Sequence, residues 1–223
     1  MRDSSSSTVR VVLLGAPGAG KGTQSELLCA RLGIPHISTG DLLREAQNTG
    51  TRLGKVVASY VDRGQLVPDD VITGVVEDRL KAGGPVGGFA LDGFPRTIPQ
   101  ASRLADILGN LGAILTGVLV YEVPEGELIR RLGGRRVCGG CGKIYNFDDA
   151  AQALIPCSVC GGRLNQRADD NPDAIRVRLR LYTECTQPVV EFYDHRRMLR
   201  RVDAVGSVEE IYLRSLRALG VSP

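Results

Sequence analysis

The chain has no tryptophan, and aromatic residues make up only 4% of it. Burial must therefore rest on Val, Leu, Ile and Ala. Neither sign of charge dominates: 28 Lys and Arg face 25 Asp and Glu, a formal net charge of +3. No global field demands nucleic acid or an anionic membrane as a partner. Long apolar runs are missing too. Val11 to Leu14 and Val118 to Val120 fall far short of the roughly 20 residues that cross a bilayer. The start lacks the pattern of a secretory signal, since Met-Arg-Asp is followed by four serines and a short apolar run leading into glycines. A cytoplasmic location is expected, with residues 1–8 as a tail without chemistry. Internal repeats are absent, and the serine tail is the one low-complexity segment. What is present is a hydrophobic fraction of 43%, enough for a real core and against disorder. The 223 residues, set against roughly 150 per domain, point to one domain with insertions.

Short β-branched runs alternate with amphipathic stretches. Strands are predicted at 10–14, 89–92, 117–123 and 199–202, and a short extended segment at 34–38. Helices are predicted at 24–32, 41–47, 53–62, 70–81, 100–108 and 125–132. A long helix over 173–193 is expected to be kinked or divided by Pro188. Ser207-Val-Glu-Glu210 reads as a capping box opening a last helix that stops at Gly220. Glycines at 50, 64, 83 and 84 punctuate the helices. This alternation predicts an α/β fold, a parallel sheet covered by helices on both faces.

Gly15-Ala-Pro-Gly-Ala-Gly-Lys-Gly-Thr23 lies between a predicted strand and a predicted helix, the setting a phosphate-binding loop requires. Glycines let successive backbone N–H groups turn toward phosphate oxygens. The helix N-terminus adds its positive end, and Lys21 adds a mobile charge. Gly22 intervenes before the hydroxyl residue, Thr23, so the usual spacing is altered by one. Asp92 ends a buried strand beside this loop, where a carboxylate can hold a Mg²⁺-bound water.

Cys138, Cys141, Cys157 and Cys160 form C-x2-C-x15-C-x2-C, a spacing suited to structural zinc. Four thiolates leave no position open for substrate water. A redox dithiol or two disulfides are the alternative readings. Cys29 and Cys185 read as small packed residues. Arginines gather at breaks in regular structure: Arg44, Arg96, Arg131, Arg135, Arg167 and Arg178. A single arginine is most simply a solvated charge. As a set they suit a site that neutralises several phosphates through fork-shaped contacts. Arg130, Arg136, Arg176, Arg180, Arg196 and Arg197 are read as surface or structural charges. His36 and His195 are read as structural, with no partner identifiable.

Gly15 to Thr23, Ser38-Thr-Gly-Asp-Leu-Leu-Arg44, Asp92-Gly-Phe-Pro-Arg96, Gly134-Arg-Arg136 and Arg167-Ala-Asp-Asp170 together resemble, in order and spacing, the adenylate kinases of the long-lid type. The resemblance extends from about residue 9 to the end. In that family Lys-Gly-Thr after the loop glycines is normal, and a subset carries a four-cysteine zinc lid. The resemblance implies a P-loop kinase core at 9–37, 68–133 and 171–223, a helical monophosphate-binding insertion at 38–67, and a zinc-ribbon lid at 134–170. It implies ATP phosphates on Gly18, Ala19, Gly20, Lys21, Gly22 and Thr23, with Arg131, Arg135, Ile144, Tyr145 and the Gly206 backbone also touching ATP. AMP would meet Thr39, Arg44, Gln65, Leu66 and Val67, with Gly93, Phe94, Pro95, Arg96 and Gln100 completing its pocket. Arg167 and Arg178 would grip the transferred phosphoryl and the AMP phosphate. The implied catalytic set is Lys21, Asp92, Arg96, Arg135, Arg167 and Arg178, with Mg²⁺ accompanying ATP and structural Zn²⁺ on the cysteines. The reaction implied is ATP plus AMP giving two ADP, by a monomer without nucleic-acid or membrane partners. The alternatives are another nucleotide as acceptor or donor (UMP, CMP or GTP), and a zinc-ribbon nucleic-acid-binding ATPase. Against the latter, the ribbon carries only Lys143 as a cation, and Tyr145 and Phe147 as aromatics, between its outer cysteines, with Arg163 just beyond them.

Overall fold

The computed structural model describes residues 8–48, 52–83, 87–147 and 155–222. The serine run, the glycines at 50 and 84, and part of the cysteine segment, 148–154, lie outside the described residues.

Alternating burial builds the centre. In β1 (Arg10–Gly15), Val12 and Leu14 face one hydrophobic cluster, while Val11 and Leu13 face another. A strand covered on both faces must be apolar at every position, and RVVLL meets that demand. The same holds for β3 (Phe89–Asp92) and β4 (Gly117–Glu122). With β2 (His36–Ser38) and β8 (Leu199–Asp203) they form a parallel sheet in the order β2-β3-β1-β4-β8. The first cluster takes in Val57, Val76, Leu104 and Val189. These belong to α3 (Arg52–Val61), α4 (Asp69–Gly83), α5 (Ile98–Asn110) and α8 (Gln187–His195). The second takes in Leu28, Leu128 and Leu216, from α1 (Lys21–Leu32), α6 (Glu125–Gly134) and α9 (Val208–Ala218). The predicted α/β architecture is therefore observed, with helices on both faces of a parallel sheet. No helix among the described residues is long and apolar enough to cross a membrane.

Two excursions leave this body. One is α2 (Thr39–Asn48) followed by α3. The other is an antiparallel ribbon, β6-β5-β7, made of β5 (Arg135–Cys138), β6 (Ile144–Asn146) and β7 (Leu164–Asn165). Among the described residues its apolar centre is only Cys138, Cys157 and Leu164, flanked by Tyr145 and Phe147. That is too little burial to hold a fold by itself.

The helix ends carry the expected signals. Gly33 closes α1 in the left-handed region, its N–H donating to the Cys29 carbonyl. Ser207 and Glu210 form the capping box of α9. Asn171 accepts from two backbone N–H groups at the start of α7 (Pro172–Leu181). The long late helix differs from expectation. It is interrupted by a π turn, Tyr182–Thr186, ahead of Pro188. The Gln187 N–H reaches back five residues, to the Tyr182 carbonyl. The wider turn precedes the residue that lacks an N–H, so Pro188 sits in the first turn of α8, where that lack costs little.

Leu104 is fully buried on α5, whereas Ile114 is 76% exposed. Leu104→Ala is expected to cost about 2–5 kcal/mol and Ile114→Ala less than about 0.5 kcal/mol, read as the shift in urea midpoint at constant slope.

Candidate active site

The carboxyl ends of β1, β2 and β3 deliver Gly15, Ser38 and Asp92 to one edge of the sheet, where ligands of open α/β sheets bind. A cavity of about 530 Å³ opens there. The turn after β1 leads directly into α1, three residues earlier than predicted, with Gly20 at φ 87 as its N-cap. That left-handed backbone suits glycine. It leaves the first N–H groups of α1 without carbonyl partners. The Lys21 ammonium folds back onto the loop, donating to the carbonyls of Gly15 at 2.7 Å and Ala16 at 3.0 Å. Burial lowers its pKa to about 8. Asp92 opposes the shift, while Arg96, Arg178 and Arg135 add to it. Asp92 lies against the same turn, its Oδ2 3.6 Å from where a Cβ on Gly22 would stand.

From the first excursion, Thr39, Arg44, Gln65, Leu66 and Val67 all line the cavity. Thr39 donates to the Asp92 carbonyl at 3.1 Å, and Arg44 pairs with Asp41 at 2.5 Å. After β3, Gly93, Arg96 and Gln100 also line it. The Arg96 Nε donates to the Gly93 carbonyl at 2.7 Å, and its backbone N–H to Gln100 Oε1 at 2.7 Å. Burial, then Arg178, lowers the Arg96 pKa.

The third side comes from α6, the ribbon and α7. Arg131, Arg135, Ile144, Tyr145, Arg167 and Arg178 reach the cavity, as does Gly206 from the turn before α9. Arg131 is held by Glu127 at 2.7 Å and by the Ala204 carbonyl at 3.0 Å. Arg135 makes a two-pronged contact with Asp170, at 2.7 and 2.5 Å, and Arg178 joins the same carboxylate at 2.9 Å. Burial brings Arg167 down to about 10, helped by the like charges of Arg44 and Arg135. Gly18, Gly20, Gly22 and Thr23 complete the phosphate loop's share of the lining. Ala19, Phe94 and Pro95 are buried beneath it. They lie outside the cavity lining.

Several participants were missed from the sequence. His36, expected to be structural, lines the cavity, with Nε2 3.9 Å from Asp92 Oδ2. Burial works to lower its pKa, but the adjacent Asp92 carboxylate outweighs it and the net shift is upward. Arg130, read as a surface or structural charge, is exposed and pairs with Glu127 at 2.8 Å, and it also borders the cavity. Asp170 carries two of the site's arginines, and Thr186 of the π turn donates to the Arg96 carbonyl at 3.1 Å. No local pattern marks His36 or Thr186, because Asp92 and Arg96, their partners, lie far away in sequence.

The four cysteines lie apart from this cavity. Their sulfurs are all within 4.8 Å of one another, and none is in a disulfide. The Cys138–Cys160 and Cys141–Cys157 sulfur pairs stand 3.4 and 3.5 Å apart, against about 2.05 Å for a disulfide. Tetrahedral thiolates at about 2.3 Å from zinc would be roughly 3.8 Å apart. Gly140 and Val159 donate backbone N–H groups to Cys138 and Cys157 sulfurs, both at 3.4 Å. The Tyr145 hydroxyl contacts Cys157 Sγ at 3.2 Å, so one side chain touches both the cysteine cluster and the cavity wall. The donor set fits a closed tetrahedral metal.

Comparison with known proteins agrees with this geometry. Residues 13–198 match the family model described as adenylate kinase. The adenylate kinase of Kosmotoga olearia is 47% identical over 91% of this chain and 95% of its own length. That of Salinispora tropica is 47% identical over 95% and 98%, and that of Methanocella arvoryzae 47% over 91% and 94%. With a phosphate loop, a ring of arginines and near-complete alignment to such relatives, the chain belongs to the adenylate kinase family and is a nucleoside monophosphate kinase.

Proposed function

We propose that the protein transfers the γ-phosphoryl of ATP to the phosphate of AMP, giving two ADP. The observation that supports this most is the convergence of Lys21, Arg44, Arg96, Arg131, Arg135, Arg167 and Arg178 on one cavity. That density of positive charge suits two phosphorylated ligands meeting end to end. In this reading the triphosphate lies on the N–H groups from Gly18 to Thr23. Arg131, Arg135, Ile144, Tyr145 and the Gly206 backbone flank the ATP nucleoside and its phosphates. Thr39, Arg44 and the backbone at Gln65 to Val67 take AMP, and Gln100 meets its base. The acceptor's own phosphate oxygen attacks in line, so no side-chain nucleophile or base is needed. Lys21, Arg96, Arg167 and Arg178 stabilise the charge spread over the transferring phosphoryl. The Asp92 carboxylate, a hard oxygen donor facing the loop, would hold Mg²⁺ through its water shell. That ion supplies neutralisation of the β and γ phosphate oxygens. Closure of the 134–170 ribbon over the 38–67 insertion would exclude water and suppress hydrolysis. Cys138, Cys141, Cys157 and Cys160 would hold Zn²⁺ in place of a core for the ribbon, outside the chemistry.

A coupled assay for ADP formation from ATP and AMP tests the reading directly, and a panel with UMP, CMP and GTP tests its nucleotide assignment. Lys21→Met is expected to lower turnover by about two orders of magnitude or more with the melting curve retained. Near-normal turnover would remove the phosphate loop from the mechanism.

The Lys21 pKa of about 8 has a consequence for binding. Above that pH much of the free protein carries neutral Lys21, and an arriving triphosphate favours the charged form. Proton uptake on ATP binding should therefore increase between pH 7 and pH 8.5, with affinity falling across that range. Calorimetry in buffers of different ionisation enthalpy reads the uptake. A stoichiometry flat with pH would contradict it.

Chelating the metal should lower the melting temperature and expose backbone amides near 137–161 to hydrogen exchange, while transfer persists at low temperature. Loss of transfer with an unchanged melting curve would make the metal catalytic.

A further inference from the structure

Gln100 is 3% exposed and faces the cavity. Its amide is held from both ends. Nε2 donates to Asp69 Oδ1 at 2.6 Å, and Oε1 accepts from the Arg96 backbone N–H at 2.7 Å. An ionised carboxylate only accepts and a backbone N–H only donates. These two partners therefore assign the amide's orientation without ambiguity. Asp69 is itself anchored, its Oδ2 accepting from Thr97 Oγ1 at 2.8 Å. Thr97 is the N-cap of α5, on the turn that carries Gln100, and Asp69 opens α4. After these bonds the amide has one N–H and one oxygen lone pair left for a ligand, and their order is set.

We propose that Asp69 is a specificity-determining positioning residue: by fixing the Gln100 amide it makes the acceptor site select a 6-amino purine over a 6-oxo purine. The inference rests on the reading above that Gln100 meets the acceptor's base. Adenine offers an exocyclic N–H donor beside a ring-nitrogen acceptor. Hypoxanthine offers, along the same edge, an oxo acceptor beside a ring N–H donor. An amide free to turn over serves either order, since its oxygen and nitrogen exchange places. An amide held by a carboxylate serves only one. Asp69 lies outside the cavity lining, so it reaches the base only by way of Gln100.

The test compares AMP with IMP as acceptor. The two carry the same phosphate and ribose, so the ratio of their kcat/KM values cancels any change in the site's charge. In Asp69→Ala, and in Asp69→Ser, whose hydroxyl is too short to reach Gln100, the IMP:AMP ratio should rise about tenfold, the scale of one two-pronged base contact. A merely structural role would lower both activities together and leave the ratio unmoved. If the Asp69→Ala and Asp69→Ser ratios stay at the parent value while Gln100→Leu shifts it, the proposal for Asp69 is overturned and the base assignment stands. If Gln100→Leu leaves the ratio unmoved as well, the base assignment fails with it.

Discussion

The buried carboxylate of Asp170 holds two of the cavity's arginines, Arg135 and Arg178, in place. Its side chain is fully buried, with Arg135 gripping both oxygens and Arg178 sharing one of them. Each partner belongs to a different part of the chain. Arg135 begins the ribbon at the end of α6, Asp170 ends the turn that leaves the ribbon, and Arg178 lies on α7. Both crossings between ribbon and body thus meet at one anion. Burying such a group is costly unless every oxygen is paired, and removing one partner from a buried pair typically costs about 3–5 kcal/mol. The arrangement therefore resists loosening, and it aims two guanidinium groups at the cavity. The first excursion is tied to the same place. A Cβ on Gly64 would lie 2.7 Å from Arg178 Cγ and 2.8 Å from the Ala174 carbonyl. Only a residue without a side chain permits that approach.

Around this hub the cavity is over-supplied with positive charge. Lys21, Arg96, Arg167 and Arg178 are all shifted downward, each with burial as the first cause and neighbouring arginines contributing. Lys21 satisfies its donors on loop carbonyls, and Arg96 turns onto the Gly93 carbonyl. These contacts hold the cations in position without neutralising them. On the proposed reading, a polyphosphate would supply the missing negative charge and relieve this repulsion among the cations. That is the preorganisation which phosphoryl transfer requires, because charge must be met where it develops.

Much of this was legible in the residues. The β-branched runs at β1, β3 and β4 marked buried parallel strands, and the glycine-rich turn after β1 marked the anion site. The cysteine spacing foretold a four-sulfur cluster before any sulfur position was known. Less legible was the division of the late helix. Pro188 was the visible breaker, yet the interruption lies ahead of it, because a π turn fits the chain to its neighbours and sends Thr186 to Arg96. His36 was misread for a related reason. Its environment is set by Asp92 on the adjacent strand, 56 positions away along the chain; Asp92 pairs in register with Ser38, two residues beyond His36, which itself pairs with Ala90.

By itself the sequence determined the class of fold, the phosphate loop, the cysteine cluster and the set of arginines, since each is encoded by composition or spacing within a short window. Only the tertiary structure decided how those parts are held. Asp69 and Asp170 look like ordinary helix-start and turn carboxylates along the chain. Their roles arise from Gln100, 31 positions away, and from Arg135, 35 positions away. A hydrogen bond across such a separation leaves no local signature. It exists because the parallel sheet brings its strand ends, and the turns that follow them, to one edge.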